Sequence, residues 1–530
     1  MQNVQYTHFY SYCELASFLE EAARAYPRYV KLESLAETVE GRSIFVIKIT
    51  DFETENPEAR AAYYVQGGLH AEEGAGTTAA LSLVEALLTY PEKRAILHDV
   101  IFYIVPRVNP DGSEYAIEQC GVIRSAYLKS ENIGNTLSPK DLDGDGFVLQ
   151  MRTENPLGRY VEYQNTGIML ARTAEDIGPF YDVYTEGLFD TFDGGDVKSA
   201  NRSIDFNRSY PASWRPMEYS EDYPFRGIET RAVAEFMVSH RNIFACIDYH
   251  CGSGGILRPL MSGDETLCES DRHLIQDVGA LGAEISGLPL IHERAYKEPD
   301  ADPDVPYGCT NEWAYHALGI SSYVIELGNG FTGIGLTTQE ILTNWRNVEN
   351  GPWLKRILEK HQAAGSALLV PWHSFCHPQL GHVEIGGLKN GMAYYMLPND
   401  MKAVIPRTTQ FLLRHAEMHP RLVLDNIALL HIADEVWRVR ADCMNIGAFG
   451  TMVMSGSQGF LAKGAVNIQL SGAHVTVLSR GSTQTFQALA SMQRVNLEWF
   501  IKAPRGAVVQ LSATAAKSAP ANKEIALPLT

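Results

Sequence analysis

The chain carries no C-x-x-C pair. Its eight cysteines, Cys13, Cys120, Cys246, Cys251, Cys268, Cys309, Cys376 and Cys443, lie singly along 530 residues. That scatter argues against a disulfide framework and suits reduced thiols. No apolar run approaches the roughly 18–20 residues a membrane-spanning helix needs, so no membrane association is expected. Lys/Arg clusters are also missing and the formal net charge is −19. Without a basic face to neutralise phosphates, nucleic acid is excluded as a partner. The start, Met1-Gln2-Asn3-Val4-Gln5-Tyr6, lacks the basic residues, apolar core and small-residue cleavage site of a secretory signal, and a cytoplasmic location is expected. There is no internal repeat and no low-complexity block.

What is present is the composition of a folded globular protein, 45% hydrophobic and 20% charged. A chain of 530 residues exceeds what one core usually organises, so two domains are expected. Helical periodicity runs from Ser11 to Tyr26, from about Thr77 to Leu88 and from Glu229 to His240. Short apolar, β-branched segments lie between or beside them: Ser43–Thr50, Ala62–Val65, His98–Val105, Ile243–Tyr249 and Ser321–Ile325. This alternation predicts an α/β domain with a largely buried mixed sheet over residues 1–375. Beyond Trp372 the texture changes to Gly-rich turns, one helix near Thr408–Met418 and then short alternating strands from Glu435 onward. These predict a small β-sandwich within an accessory domain over residues 376–530. Lys517–Thr530 reads as a loose tail.

The chemistry-bearing residues sit just past the expected strand ends, where α/β sheets place their sites. In Gly67-Gly68-Leu69-His70-Ala71-Glu72-Glu73-Gly74, a His and a carboxylate three residues apart can converge on one metal if the backbone turns between them. Alone, the pattern is far more often that of a polar surface turn. Asn109-Pro110-Asp111-Gly112 is a turn signal in its own right. Arg124-Ser125 and Asp205-Phe206-Asn207-Arg208 follow. Arginines beside a metal can stabilise an oxyanion or clamp a carboxylate with two parallel hydrogen bonds. The strand Ile247-Asp248-Tyr249-His250 ends in histidine, which alone is more often structural. Asn311-Glu312-Trp313 precedes Tyr323-Val324-Ile325-Glu326, a carboxylate closing an apolar strand. Such a charge is costly without a partner, and a nearby Zn²⁺ would supply one.

In this order the six motifs resemble the zinc metallocarboxypeptidases typified by pancreatic carboxypeptidase A, over roughly residues 5–375. The resemblance implies a mixed-sheet metallocarboxypeptidase fold with one Zn²⁺ held by His70, Glu73 and His250. It further implies Glu326 as general base and proton donor, Arg124 as oxyanion stabiliser, and Asn207 with Arg208 as the clamp on a substrate's terminal carboxylate. Asp205 would orient His70. The substrate would be a peptide or small amide with a free carboxylate. Departures touch specificity. Glu72 stands where many relatives have Arg, and Asn311 occupies the position that sets side-chain preference, neither apolar nor acidic. The family's mobile tyrosine has its nearest counterpart in Tyr307, at a different offset.

Two readings compete with a carboxypeptidase: an amidohydrolase or peptidoglycan-type peptidase on the same fold, and a catalytically silent binding protein. The stretch between Arg124 and Asp205 adds Asp141-Leu142-Asp143-Gly144-Asp145-Gly146. It has the spacing of the first half of a calcium loop, with Asp141, Asp143 and Asp145 as ligands of a structural Ca²⁺. Arg152 at the distal position rules out an EF-hand. No feature sets the oligomeric state.

Overall fold

The computed structural model describes residues 2–129, 135–193, 198–199, 201–217, 219–259, 267–292, 308–343, 351–389, 396–456, 464–479 and 481–529. Its centre is an eight-stranded mixed sheet. In chain order the strands are β1 (Val30–Glu37), β2 (Ser43–Ile49), β3 (Ala61–Gly67), β4 (Val100–Val105), β5 (Ile243–His250), β6 (Gly255–Arg258), β7 (Leu290–His292) and β8 (Ser321–Glu326). Across the sheet they run β1-β2-β4-β3-β5-β8-β6-β7. The middle four are parallel, while β2 against β4 and β6 against β8 are antiparallel. Every residue of β3, β4 and β5 is buried, as expected of strands covered on both faces.

One face is covered by α1 (Tyr12–Ala25), α2 (Gly74–Thr89), α4 (Glu269–Ser286) and α5 (Pro398–Ala416), which share a core with Tyr63, Val65, Ile247 and Ile325. The other is covered by α3 (Ile228–Ser239) with Tyr210 and Trp313, packed on Tyr64, Tyr103 and Cys246. The first helix starts where Ser11 caps it: the Ser11 hydroxyl accepts from Glu14 N, and the Glu14 carboxylate reaches back to Ser11 N. Such a capping box satisfies two otherwise orphaned donors. Among the described residues no helix is long and apolar enough to cross a membrane.

The boundary expected after residue 375 falls inside a strand. Leu369–His377 and Gly381–Leu388 form a hairpin that joins Gln150–Glu154 in a six-stranded sheet built mainly from the segment between Arg124 and Asp205. The helix expected near Thr408 is the longer α5. It starts with Pro398 in its first turn, continues through Pro406, and buries Met401, Val404, Ile405, Phe411 and Leu412 in the main core. The packing therefore assigns everything to about residue 418 to the larger body.

From Leu422 onward the chain forms a sandwich of two four-stranded antiparallel sheets. Trp437, Val439, Trp499 and Ile501 of one sheet face Ile468, Val509 and Leu511 of the other. The tail is not loose: Ser518–Ala526 is a full strand paired with Val508–Ala515, and Lys517 is buried. The sandwich is also welded to the larger body. Phe449, Val453 and Met454 enter the main core, and Asp271 of α4 accepts from Ser455 N, Ser455 Oγ and Gly456 N.

Candidate metal centre

β3 ends at Gly67, and Gly68 adopts a φ of +61° that turns the chain across the strand ends. A Cβ there would lie 3.2 Å from both Arg107 Cγ and Thr77 Oγ1, so glycine is needed on both counts. The turn carries His70 over the sheet, and Glu73 stands at the start of α2. From the neighbouring strand, β5 delivers His250 at its last residue. His70 Nδ1 lies 2.9 Å from Glu73 Oε1, His250 Nδ1 lies 2.9 Å from Glu73 Oε2, and the two Nδ1 atoms are 3.0 Å apart. All three side chains are buried. Residues separated by up to 180 positions thus bring three ligand atoms to one point.

The remaining ring nitrogens face carboxylates. His70 Nε2 is 3.0 Å from Asp205 Oδ1, as anticipated, and His250 Nε2 is 3.1 Å from Asp248 Oδ2. If each imidazole keeps its proton toward its carboxylate, both Nδ1 atoms present lone pairs to the Glu73 oxygens. Three acceptors aimed at one buried point repel one another unless a cation sits between them. The local field favours positive charge at that point. Burial disfavours charge on His250, but Asp248 and Glu73 outweigh it and raise its pKa well above the usual histidine range. Burial pushes Glu73 up, yet His70, His250 and Arg124 together hold it well below the ordinary carboxylate range. Two imidazoles and one carboxylate are the donor set of a catalytic zinc with one position left for water. The residues fit the metal.

Glu326 ends β8 directly opposite His250 in the parallel register. Its Oε2 is buried without a hydrogen-bond partner. Burial raises its pKa to about 7, with His250 opposing and Glu73 assisting. Gly252 makes room for it, because a Cβ there would stand 2.6 Å from Glu326 Oε2. Arg124 Nη1 lies 2.8 Å from Glu73 Oε1 and 3.5 Å from Glu72 Oε1, and Nε lies 3.6 Å from Asp205 Oδ2. Burial works against its charge, but Glu73, Asp205 and Glu72 raise its pKa further. Its side chain is 38% exposed against 4% for Glu73, so the guanidinium is the charged group that reaches out of the centre.

Asp205 caps the short helix Phe206–Arg208, accepting from Asn207 N at 2.7 Å. Asn207 Oδ1 accepts from Thr310 N and Thr310 Oγ1. Arg208 Nη1 donates to Asn207 O, Nη2 is 4.0 Å from Asp205 Oδ2, and Nε is buried without a partner. Asn311 is fully buried, and its Oδ1 accepts from Glu312 N. Asn109, from the turn motif, ties the ring of loops together: Nδ2 donates to Ser125 O, and Oδ1 accepts from Gly112 N. Tyr307 lies outside the described residues.

Sequence reasoning gave no role to Asp248, although two-residue alternation puts it on the same strand face as His250. The acidic turn fared differently. Oxygens of Asp141, Asp143 and Asp145 do come together. However, Asp141 accepts from Gly144 N and Gly146 N, Asp143 from Asp145 N, and Asp145 from Phe147 N. His373 Nε2 stands 3.0 Å from Asp143 Oδ2. The loop is a self-bonded turn, and among the described residues no fourth metal-ligating side chain joins all three aspartates.

Residues 15–351 match the zinc carboxypeptidase family, Peptidase_M14, and the chain belongs to that family. Residues 421–526 match a domain of unknown function, DUF8731. Human carboxypeptidase D is 30% identical over 115 residues, 21% of this chain and 8% of that protein. Zinc carboxypeptidase A 1 of Drosophila melanogaster is 30% identical over 113 residues, 21% of this chain and 26% of that protein. The chain thus spans only a minor part of the curated relatives it matches. Among solved structures, bovine thrombin-activatable fibrinolysis inhibitor, in complex with tick carboxypeptidase inhibitor, aligns with a TM-score of 0.39 at 16% identity, covering 68% of this chain and 99% of that one.

Proposed function

We propose that this chain is a zinc-dependent peptidase that removes the C-terminal residue of peptides carrying a free carboxylate. The observation carrying this reading is the meeting of His70 Nδ1, Glu73 and His250 Nδ1 within 3.0 Å, with Glu326 in register beside them. When bound, zinc would polarise the scissile carbonyl and lower the pKa of the attacking water.

The chain's own residues supply the rest. Glu326, kept out of bulk water and near neutrality in proton affinity, takes the proton from the attacking water and hands it to the leaving amine. Arg124 reaches outward from the Glu73 carboxylate and donates to the carbonyl oxygen as negative charge develops on it. Asn207 and Arg208 form a paired amide and guanidinium, held in place by Thr310 and Asp205, that grips the terminal carboxylate. Asp205 holds the His70 imidazole in its orientation.

The test is a library of short peptides offered with free and with amidated C-termini. Release of the last residue from the free acids alone is expected. Equal cleavage of both forms would remove the carboxylate clamp from the account and favour the amide-hydrolase reading.

A further inference from the structure

We infer that Asp248 is a positioning residue for His250 and sets the affinity of the metal centre; the inference rests on the zinc reading above. Asp248 is fully buried on β5, one pleat below His250, between Gln66 of β3 and Val324 of β8. Its Oδ2 stands 3.1 Å from His250 Nε2. The approach is oblique, so the contact is electrostatic rather than a straight hydrogen bond, and neither carboxylate oxygen has another hydrogen-bond partner.

The contrast with Asp205 makes the point. Asp205 also faces a ligand imidazole, but it shares its charge with Arg124 and Arg208 and caps a helix through Asn207 N. It has structural work apart from the metal. Asp248 has none: among the described residues its one charged neighbour is His250. A carboxylate in a fully buried strand is expensive unless a positive charge answers it. The His250 ring answers it when it carries positive charge, whether from a proton or from donating its Nδ1 lone pair to a cation. The position would be cheaper as Ser or Asn if only packing were needed. Asp248 therefore acts through His250, fixing which nitrogen carries the proton and raising the basicity of the nitrogen turned to the metal.

The experiment compares full-length native protein with Asp248→Asn and Asp248→Ala. Each is stripped of metal and titrated with Zn²⁺ against a chromophoric chelator, and the thermal unfolding of each metal-free form is recorded alongside. The Asn variant keeps the volume and removes the charge, so it decides the question if the Ala variant fails to fold. Zinc affinity should fall about tenfold in Asn and about a hundredfold in Ala, the range for outer partners of a ligating histidine. The metal-free melting temperature of Asn should change little, because the lost contact with His250 is offset by no longer burying a carboxylate. Native-like affinity in both variants, within about threefold, overturns the inference while leaving the zinc site intact. A loss of affinity matched by an equal loss of metal-free stability overturns it too. Native protein that takes up no zinc would instead bring down the functional reading on which it rests.

Discussion

Replacing Phe411 by Ala tests whether α5 belongs to the body that carries the candidate metal centre. Phe411 is fully buried, stacks on His415 with ring centroids 5.7 Å apart and packs edge-on to Tyr323 at 6.5 Å. It also lies against Gly282 of α4, where an added Cβ would meet its ring at 2.8 Å. Truncating such a ring costs about 3–5 kcal/mol in lost burial and cavity. For a body this large, about 1 °C per kcal/mol converts that to a drop of roughly 3–6 °C in melting temperature. Tyr323 is three residues from Glu326 on β8, so the loss should fall on the transition that releases the metal. Calorimetry of the zinc-loaded protein, with zinc release read by a chelating dye, follows both events. Release should move down with the main transition. If zinc release keeps its native temperature while only a sandwich transition shifts, α5 belongs to the accessory domain and the packing argument fails.

Two further outcomes are expected. His415 is buried between Tyr63 Oη at 2.9 Å and Ser321 Oγ at 3.1 Å, and burial lowers its pKa to about 3. Between that value and the unfolded histidine pKa near 6.5 the unfolded chain binds the extra proton, so stability falls as pH drops through this window. Chemical denaturation from pH 7 to 4 should show a slope approaching about 1.4 kcal/mol per pH unit from this group, and His415→Phe should flatten it while costing stability at neutral pH. Glu326→Gln should retain zinc and lose about a hundredfold to ten-thousandfold in kcat; steady-state kinetics with metal analysis would show it, and a variant of native activity would remove Glu326 from its role.

The site was legible because its residues sit at strand ends, where apolar runs stop at His250 and Glu326 and a Gly-Gly turn precedes His70. Such endings are local signals. The domain division was not local. Gln150–Glu154 pairs with Gly381–Leu388 across more than two hundred positions, and no periodicity within either segment announces the other. The helix α5 was read from its second half because Pro406 interrupts the pattern; Pro398 in the first turn costs nothing there, and the run continues through Pro406 because its apolar face is held in the main core. The last strand, Ser518–Ala526, holds three Ala, a Pro and a single β-branched residue, Ile525; its partner Val508–Ala515 makes it a strand. Asp248 was hidden by its neighbours, since an acidic residue inside an apolar run gives no sign of which side chain it meets.

Metal analysis of purified protein is the most direct test of the centre. Native chain loaded with zinc and freed of excess should hold about one zinc per chain, as three protein ligands and an open position imply. His250→Ala, shown by circular dichroism to be folded, should hold almost none. Zinc retained in full by the folded His250→Ala protein would contradict the assignment of the centre to His70, Glu73 and His250.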